Sequence, residues 1–239
     1  MMKKSLNVGK YHKSVDVYAE LINEVYQNYP DGVTLPPMYA QFVDTSMSNI
    51  LIRLSRYKFV AKMLKPADRV LEVGCGSGLG SIYLSQNCAS VYGIDVQKQE
   101  IKEAQELSRR ENVVFEEKDL FVLDENTKYD AIVCLDVLEH LSVEDGRAFI
   151  KKISKLLKPN GFFACGVPSI YSYEFQSPLS QASHINCPDR DDLERELSLS
   201  FDRIFPFSMN DEVVHTGFQK LAWYYLMLCT NPKVYLCEE

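Results

Sequence analysis

Val70-Leu71-Glu72-Val73-Gly74-Cys75-Gly76-Ser77-Gly78 is a short apolar run that ends in three glycines on alternate positions. Such a run reads as a buried strand meeting a tight turn. Glycine lets the backbone turn closely and lets a ligand lie against it with no side chain between them. A dinucleotide fingerprint needs glycines at offsets zero, two and five. Counted from Gly74 the fifth offset is Leu79, and from Gly76 it is Ser81, so both fail. What stands instead is Gly-x-Gly-x-Gly with an acid, Glu72, two residues ahead of the first glycine. A ligand at such a turn sits at the C-terminal ends of the strands, where an open α/β sheet changes direction.

Working outward, apolar runs at 91–96, 113–119, 129–136 and 162–167 read as further strands. Helical patterns at 78–87, 98–110 and 144–157 lie between them. The run Tyr129 to Asp136 is nearly all apolar, as expected of a strand buried on both faces. Strands alternating with helices imply right-handed crossovers and a parallel sheet. Ahead of this core, 14–28 and 39–64 read as helices, separated by Tyr29-Pro30-Asp31-Gly32 and Pro36-Pro37, and Pro66 stops the second. Residues 168–187, rich in Ser, Pro, Tyr and Gln, read as a long loop of the kind that carries function. A helix at 188–199 and a strand at 201–207 follow, and 221–229 is a last strand or a short helix. The fold expected is α/β and Rossmann-like: a doubly wound, mostly parallel, seven-stranded sheet with helices on both faces. Residues 1–64 are expected to form an N-terminal helical cap, and 65–239 the ligand-binding core.

Asp95 ends the second strand, 21 residues after Gly74, and Asp119 ends the third. In nucleotide-binding sheets an acid at the first of these places accepts hydrogen bonds from ribose hydroxyls. A strand-end Asp is also a common turn former. Gly-x-Gly, Asp and Asp on three consecutive strand ends form a pattern that none of them makes alone.

The chain has 239 residues, 46% of them hydrophobic and 25% charged, which is the composition of a globular protein. The net charge of -7 argues against a partner held by its phosphates, and the basic residues are scattered. Nucleic acid is thus disfavoured as a substrate. The apolar runs are too short to span a bilayer, and polar residues follow the basic start where a signal peptide needs an apolar core. A cytoplasmic location and no membrane partner are expected. Seven cysteines with no Cys-x-x-Cys pair read as reduced, small hydrophobes.

Taken in order, these segments resemble the class I S-adenosylmethionine-dependent methyltransferases. The likeness covers about residues 66–168 and runs through Val70 to Gly78, Val91-Tyr-Gly-Ile-Asp-Val96, Lys118-Asp119-Leu120, Tyr129 to His140, and Leu156-Leu-Lys-Pro-Asn-Gly-Phe162. Leu138-Glu139-His140 is similar to the branch that holds ubiquinone-biosynthesis and sugar-modifying enzymes. The resemblance implies S-adenosyl-L-methionine as cofactor and S-adenosyl-L-homocysteine as product. It implies that Gly74, Cys75, Gly76 and Gly78, preceded by Glu72, let the cofactor approach the backbone. It further implies that Asp95 holds the ribose, Asp119 the adenine amino group, and Val96 and Leu120 the faces of the ring. Leu135 and Asp136 would line the methionine side. Arg56, followed by Tyr57, looks like a pair that some relatives use on the cofactor carboxylate, although a surface Arg beside a core Tyr gives the same pattern.

Three histidines are candidates for a general base: His184 at the end of the long loop, His140 just past the fourth strand, and His215 after the sixth. Asp136, Glu139 and His140 invite a metal, but nothing elsewhere in the linear pattern completes a ligand set, so none is expected. The acceptor pocket should come from 1–64, 168–187 and 206–220, with Tyr39, Tyr171, Tyr173 and Phe175 as wall candidates. No Pro-Pro-Tyr or Pro-Cys signal follows the fourth strand. With the acidic charge, this points to a small-molecule acceptor, a sugar or sugar precursor among the candidates. An RNA or protein methyltransferase and a nicotinamide-dependent oxidoreductase are the competing readings. The oligomeric state is left open, a homodimer included.

Overall fold

The computed structural model describes residues 11–233. They fall into two compact units, Met1–Leu35 and Pro36–Glu239. The first contains helix α1 (Tyr11–Asn28). Helices α2 (Pro37–Thr45) and α3 (Met47–Ala61) belong to the second, because α3 packs on the sheet helix α4. The division therefore falls after Leu35, whereas a boundary at 64 was expected. The single helix read over 39–64 is two: Ser46 has a non-helical backbone and ends α2 where α3 begins.

The second unit is built on a sheet of strands β1 (Arg69–Val73), β2 (Ser90–Asp95), β3 (Val113–Glu117), β4 (Tyr129–Leu135), β5 (Leu157–Pro168), β6 (Phe201–Asn210), β7 (Val213–His215) and β8 (Tyr224–Pro232). It has eight strands in the order β3-β2-β1-β4-β5-β8-β6-β7, not the seven expected. The extra one is β7, three residues that fold back on the end of β6 as an antiparallel hairpin. Strands β3 to β5 in that order pair in parallel, whereas β8 is antiparallel to both its neighbours, β5 and β6. The run at 221–229 is thus a strand, shifted to Tyr224–Pro232.

Alternation along β1 divides the core between two faces. Leu71 and Val73 pack with Ile132, Phe163, Tyr225 and the helices α6 (Val143–Leu156) and α8 (Arg190–Ser198). Val70 packs with Val91, Ala131 and Val133, against α3, α4 (Leu79–Leu84) and α5 (Lys98–Leu107). β4 is buried on both faces, as its apolar run predicts. Side-chain caps start the helices of the C-terminal half: Ser142 accepts from the Asp145 N–H at α6, and Asp189 from the Asp192 N–H at α8. The segment 168–187 is not unstructured. It holds a 3-10 stretch at Ile170–Phe175 and a short helix α7 (Pro178–Ser183), capped by Ser177. Strand order reverses between β1 and β4, both of which end beside the glycine turn, so the turn stands at the switch point of the sheet. Among the described residues no helix is long and apolar enough to cross a membrane, and the six described cysteines are unpaired.

Candidate functional site

The three glycines of the turn all have positive φ: 75° at Gly74, 51° at Gly76 and 83° at Gly78. Their surroundings differ. A Cβ at Gly74 would stand 2.2 Å from Val137 Cγ2, and one at Gly78 would stand 2.7 Å from both Ala104 and Phe115. Those two are glycine because the protein itself packs on them. A Cβ at Gly76 would meet only Glu100 Oε2, at 3.5 Å. The open side of the turn is therefore at Gly76, and this is where a ligand can lie against bare backbone.

Carboxylates gather around that opening. Asp95 accepts from the Gly76 N–H at 3.0 Å and the Gln97 N–H at 2.9 Å, which ties the end of β2 to the turn. Glu72 lies beneath the turn, buried, and its Oε2 accepts from the Ser81 hydroxyl of α4. Burial raises its pKa to about 7, while the Ser81 and Tyr57 hydroxyls pull it the other way. Glu100 on α5 is raised as well, first by burial and then by Glu103 and Asp95. Asp119 is exposed past the end of β3, and its Oδ1 accepts from the Phe121 N–H at 2.8 Å to cap a 3-10 turn. Leu120 is buried beside it, and Val96 stands 66% exposed next to Asp95, an apolar surface left bare.

The end of β4 supplies the other wall. Leu135 is buried, and Asp136 follows it with φ 61°, its N–H donating to the Gly166 carbonyl at 3.0 Å. Arg56 Nη1 donates to both Asp136 oxygens, at 2.9 and 2.6 Å. The Arg56 guanidinium also lies over the Tyr224 ring, 3.7 Å from its centre. Two glycines make this possible. Gly80 lets the Tyr57 ring press on α4, which seats α3, and Gly166 leaves room for Tyr224. Burial works most strongly against the Arg56 cation, but Asp136 together with Tyr224, Tyr57 and Glu139 more than offsets it, and its pKa rises. Tyr39 is buried within the field of Arg53, Glu72, Glu100 and Asp136, so it belongs to this cluster rather than to an acceptor wall.

Two of the three histidines are brought together. His140, on the 3-10 turn Leu138–His140, and His184, at the end of α7, have ring centres 5.0 Å apart, edge to face. Burial and the His140 imidazole hold His184 below the ordinary histidine value. Buried Glu139 sits beside the pair, its carboxyl pushed well above the usual range by burial and by Asp136. His215 is not with them. It lies on β7, four strands from β4 along the sheet and thus roughly 19 Å away at ~4.8 Å per strand, bonded to Asn210 at 2.9 Å. Next to His184 a cleft of about 640 Å³ opens, lined by Ile170, Tyr171, Tyr173, Glu174, Ile185 and Cys187. Phe175 is 81% exposed and does not line it.

Several members of the site were illegible in the linear pattern. Tyr224 reads as one more residue of an apolar strand, and Glu100 as part of a polar helix face. His184 belongs with Glu139 and His140 only through the path of the 168–187 segment. The one available signal was that segment's composition.

A parallel sheet with its glycine turn at the switch point, acids on successive strand ends and an acid-rich opening is the architecture of a class I methyltransferase domain. Residues 71–163 match the protein-family model described as a methyltransferase domain. Nodulation protein S of Azorhizobium caulinodans is 32% identical over 100 residues, covering 41% of this chain and 48% of that protein. A ubiquinone biosynthesis O-methyltransferase of Coxiella burnetii is 32% identical over 115 residues, covering 46% and 48%. The chain thus spans about half the length of the curated relatives it matches. In fold it is similar to the magnesium protoporphyrin IX methyltransferase of Synechocystis PCC 6803 with bound S-adenosyl-L-homocysteine, at TM-score 0.57 and 21% identity, over 89% of this chain and 93% of that one.

Proposed function

We propose that this chain is an S-adenosyl-L-methionine-dependent methyltransferase acting on an O or N atom of a small molecule, with S-adenosyl-L-homocysteine as product. The observation that carries the proposal is the opening at Gly76. Bare backbone there is flanked by Asp95 and Glu100, and the Arg56–Asp136 pair stands past the end of β4, the strand that pairs with β1. A ligand with a sulfonium and an ammonium group suits the acids, and its carboxylate suits a guanidinium. Two polar atoms of the cluster, Glu100 Oε2 and Arg56 Nε, are buried without partners, and such atoms favour a polar ligand that pairs them.

Asp95 keeps lone pairs free for ribose hydroxyls beside its two backbone donors. Asp119, exposed, reaches the rim where an adenine amino group lies, with Val96 and Leu120 as apolar cover. Leu135 and Asp136 line the methionine side. Arg56 exchanges Asp136 oxygens for the ligand carboxylate or holds both.

The donor supplies an already activated methyl: the sulfur–carbon bond breaks as the acceptor–carbon bond forms, and sulfur keeps the electron pair. The chain's task is to align acceptor and donor and to exclude water, which supplies on the order of 7–11 kcal/mol. The cleft lined by Tyr171, Tyr173 and Glu174 is the acceptor's place, and His184 on its edge, beside His140, handles the acceptor's proton. A small-molecule acceptor is supported by the names of the similar proteins, by the net charge of -7 and by the size of the cleft. Sugars and sugar precursors are within this class.

Titration calorimetry with S-adenosyl-L-homocysteine tests the cofactor, and heat of binding at one site per chain is expected. His184→Ala should lower turnover by ~10²-fold or more and leave that affinity nearly unchanged. Absence of any binding heat overturns the reading.

A further inference from the structure

We propose that Glu139, His140 and His184 bind one divalent transition cation at the edge of the acceptor cleft. The place of this site in catalysis rests on the function proposed above, whereas its geometry stands alone. One oxygen of Glu139 and one ring nitrogen of each histidine lie within 4.8 Å of one another. Glu139 has no exposed surface, and neither of its oxygens has a hydrogen-bond partner. A buried carboxyl whose two oxygens lack partners is unfavourable, and a cation is one partner that satisfies it.

The imidazoles are already set in the right form. His140 Nδ1 lies 3.0 Å from the Ser183 carbonyl oxygen. A carbonyl only accepts, so Nδ1 carries the hydrogen and Nε2 keeps its lone pair. His184 Nδ1 lies 2.7 Å from Gln176 Oε1, with the same consequence. The Gln176 amide is oriented by its Nε2, which donates to the Ser172 hydroxyl at 3.3 Å. An oxygen that holds one ring nitrogen of a histidine is the usual support behind a metal-bound imidazole. Asp136, the nearest other carboxylate in sequence, is engaged by Arg56 and is not a ligand.

Two imidazoles and one carboxylate, with positions left for an outside ligand, suit zinc and its neighbours better than magnesium, which prefers an all-oxygen shell. Bonds near 2.0–2.1 Å put tetrahedral ligand atoms ~3.3 Å apart, so the three must draw in by on the order of 1 Å. His184 is only half-buried and ends a short helix, which lets it make that move.

The site also narrows the acceptor. A cation lowers the pKa of an oxygen bound to it. A coordinated hydroxyl gives its proton to solvent at the open cleft, since both imidazoles are then ligands and not bases, and the oxygen still has a lone pair to attack the methyl carbon. A coordinated amine has none left. The acceptor is therefore a hydroxyl compound, and methyl transfer is to oxygen.

The test uses the full chain, stripped with a chelator and titrated with Co²⁺ as a spectroscopic probe. Uptake of one equivalent with visible d–d absorption, displaced by Zn²⁺, is expected. His140→Ala and His184→Ala should each weaken Co²⁺ binding by ~10²-fold or more, and Gln176→Ala by roughly 10–100-fold. His215→Ala should leave it unchanged. Glu139→Gln is the harsher variant because the residue is buried. His184→Ala, at a half-buried side chain, keeps the test decisive, with retained S-adenosyl-L-homocysteine affinity as proof of fold. No Co²⁺ uptake, or uptake unaltered in His184→Ala, overturns the cation site while cofactor binding still stands. Loss of cofactor binding in the unmodified chain overturns the methyltransferase reading instead.

Discussion

Glu72 gives the sharpest physical test of the glycine turn. Its carboxyl is buried under the turn and has a pKa of about 7, against 4.5 when solvated. The folded chain therefore holds this proton more tightly than the unfolded chain does. Below pH 4.5 both states are protonated and nothing is lost. As the pH rises from 4.5 to 7 the unfolded state releases the proton first, and stability falls; above 7 the loss is complete. At 1.36 kcal/mol per pKa unit, the loss is about 3 kcal/mol at pH 8. Glu72→Gln removes the titration and keeps the shape. Urea midpoints of the two proteins between pH 4 and pH 8 on the order of unit steps give the difference, in which every other titrating group cancels. The variant should be close to the unmodified protein at the acid end. It should become the more stable by about 2–3 kcal/mol at the basic end, after about 1 kcal/mol for the altered Ser81 bond. A difference that stays flat with pH, or that turns in favour of Glu72 as pH rises, would refute the account of a proton held under the turn.

The other predictions concern the same opening. Gly78→Ala should cost roughly 2–4 kcal/mol in urea unfolding, from its left-handed φ and the overpacking against Ala104 and Phe115. Gly76→Ala should cost only about 1–2 kcal/mol of stability, since its Cβ would meet only Glu100 Oε2 at ordinary contact distance, and yet weaken S-adenosyl-L-homocysteine binding by ~10-fold or more in calorimetry. Asp95→Asn should raise the dissociation constant for the same ligand by roughly 10–100-fold, as expected for loss of charged hydrogen bonds. Arg56→Met should destabilise by about 1–3 kcal/mol, less than for a fully buried pair, because the Arg56 and Asp136 side chains are 14% and 30% exposed.

Periodicity and glycine spacing were enough to place the parallel half of the sheet, the turn at 74–78 and the acids at 95 and 119, because those features are local. The hairpin strand Val213–His215 escaped notice, since three residues of which none is buried carry no apolar alternation. The helix break at Ser46 escaped because Met47, Ile50 and Leu54 continue the apolar spacing across it. The tertiary assembly was harder still. Nothing local says that Tyr224 lies under Arg56, which follows from Gly166 leaving its space, or that His184 returns to His140, which follows from the course of α7. Glu72 was read as part of a ligand-facing motif; the structure shows it tying β1 to α4 from below.

The position of β8 has a bearing on how this chain comes into being. It is the last of the described strands in sequence, yet it lies between β5 and β6 in the sheet. During synthesis β1 to β5 can join as they emerge, whereas β6 and β7 form only a hairpin with no neighbour to hold them. The margin of β5 stays open, with its backbone amides and carbonyls exposed to any stray partner, until Tyr224–Pro232 leaves the ribosome and closes the seam. A polypeptide cut short before Tyr224 would carry that raw margin permanently, and the nascent sheet depends on Tyr224–Pro232 to stop being sticky.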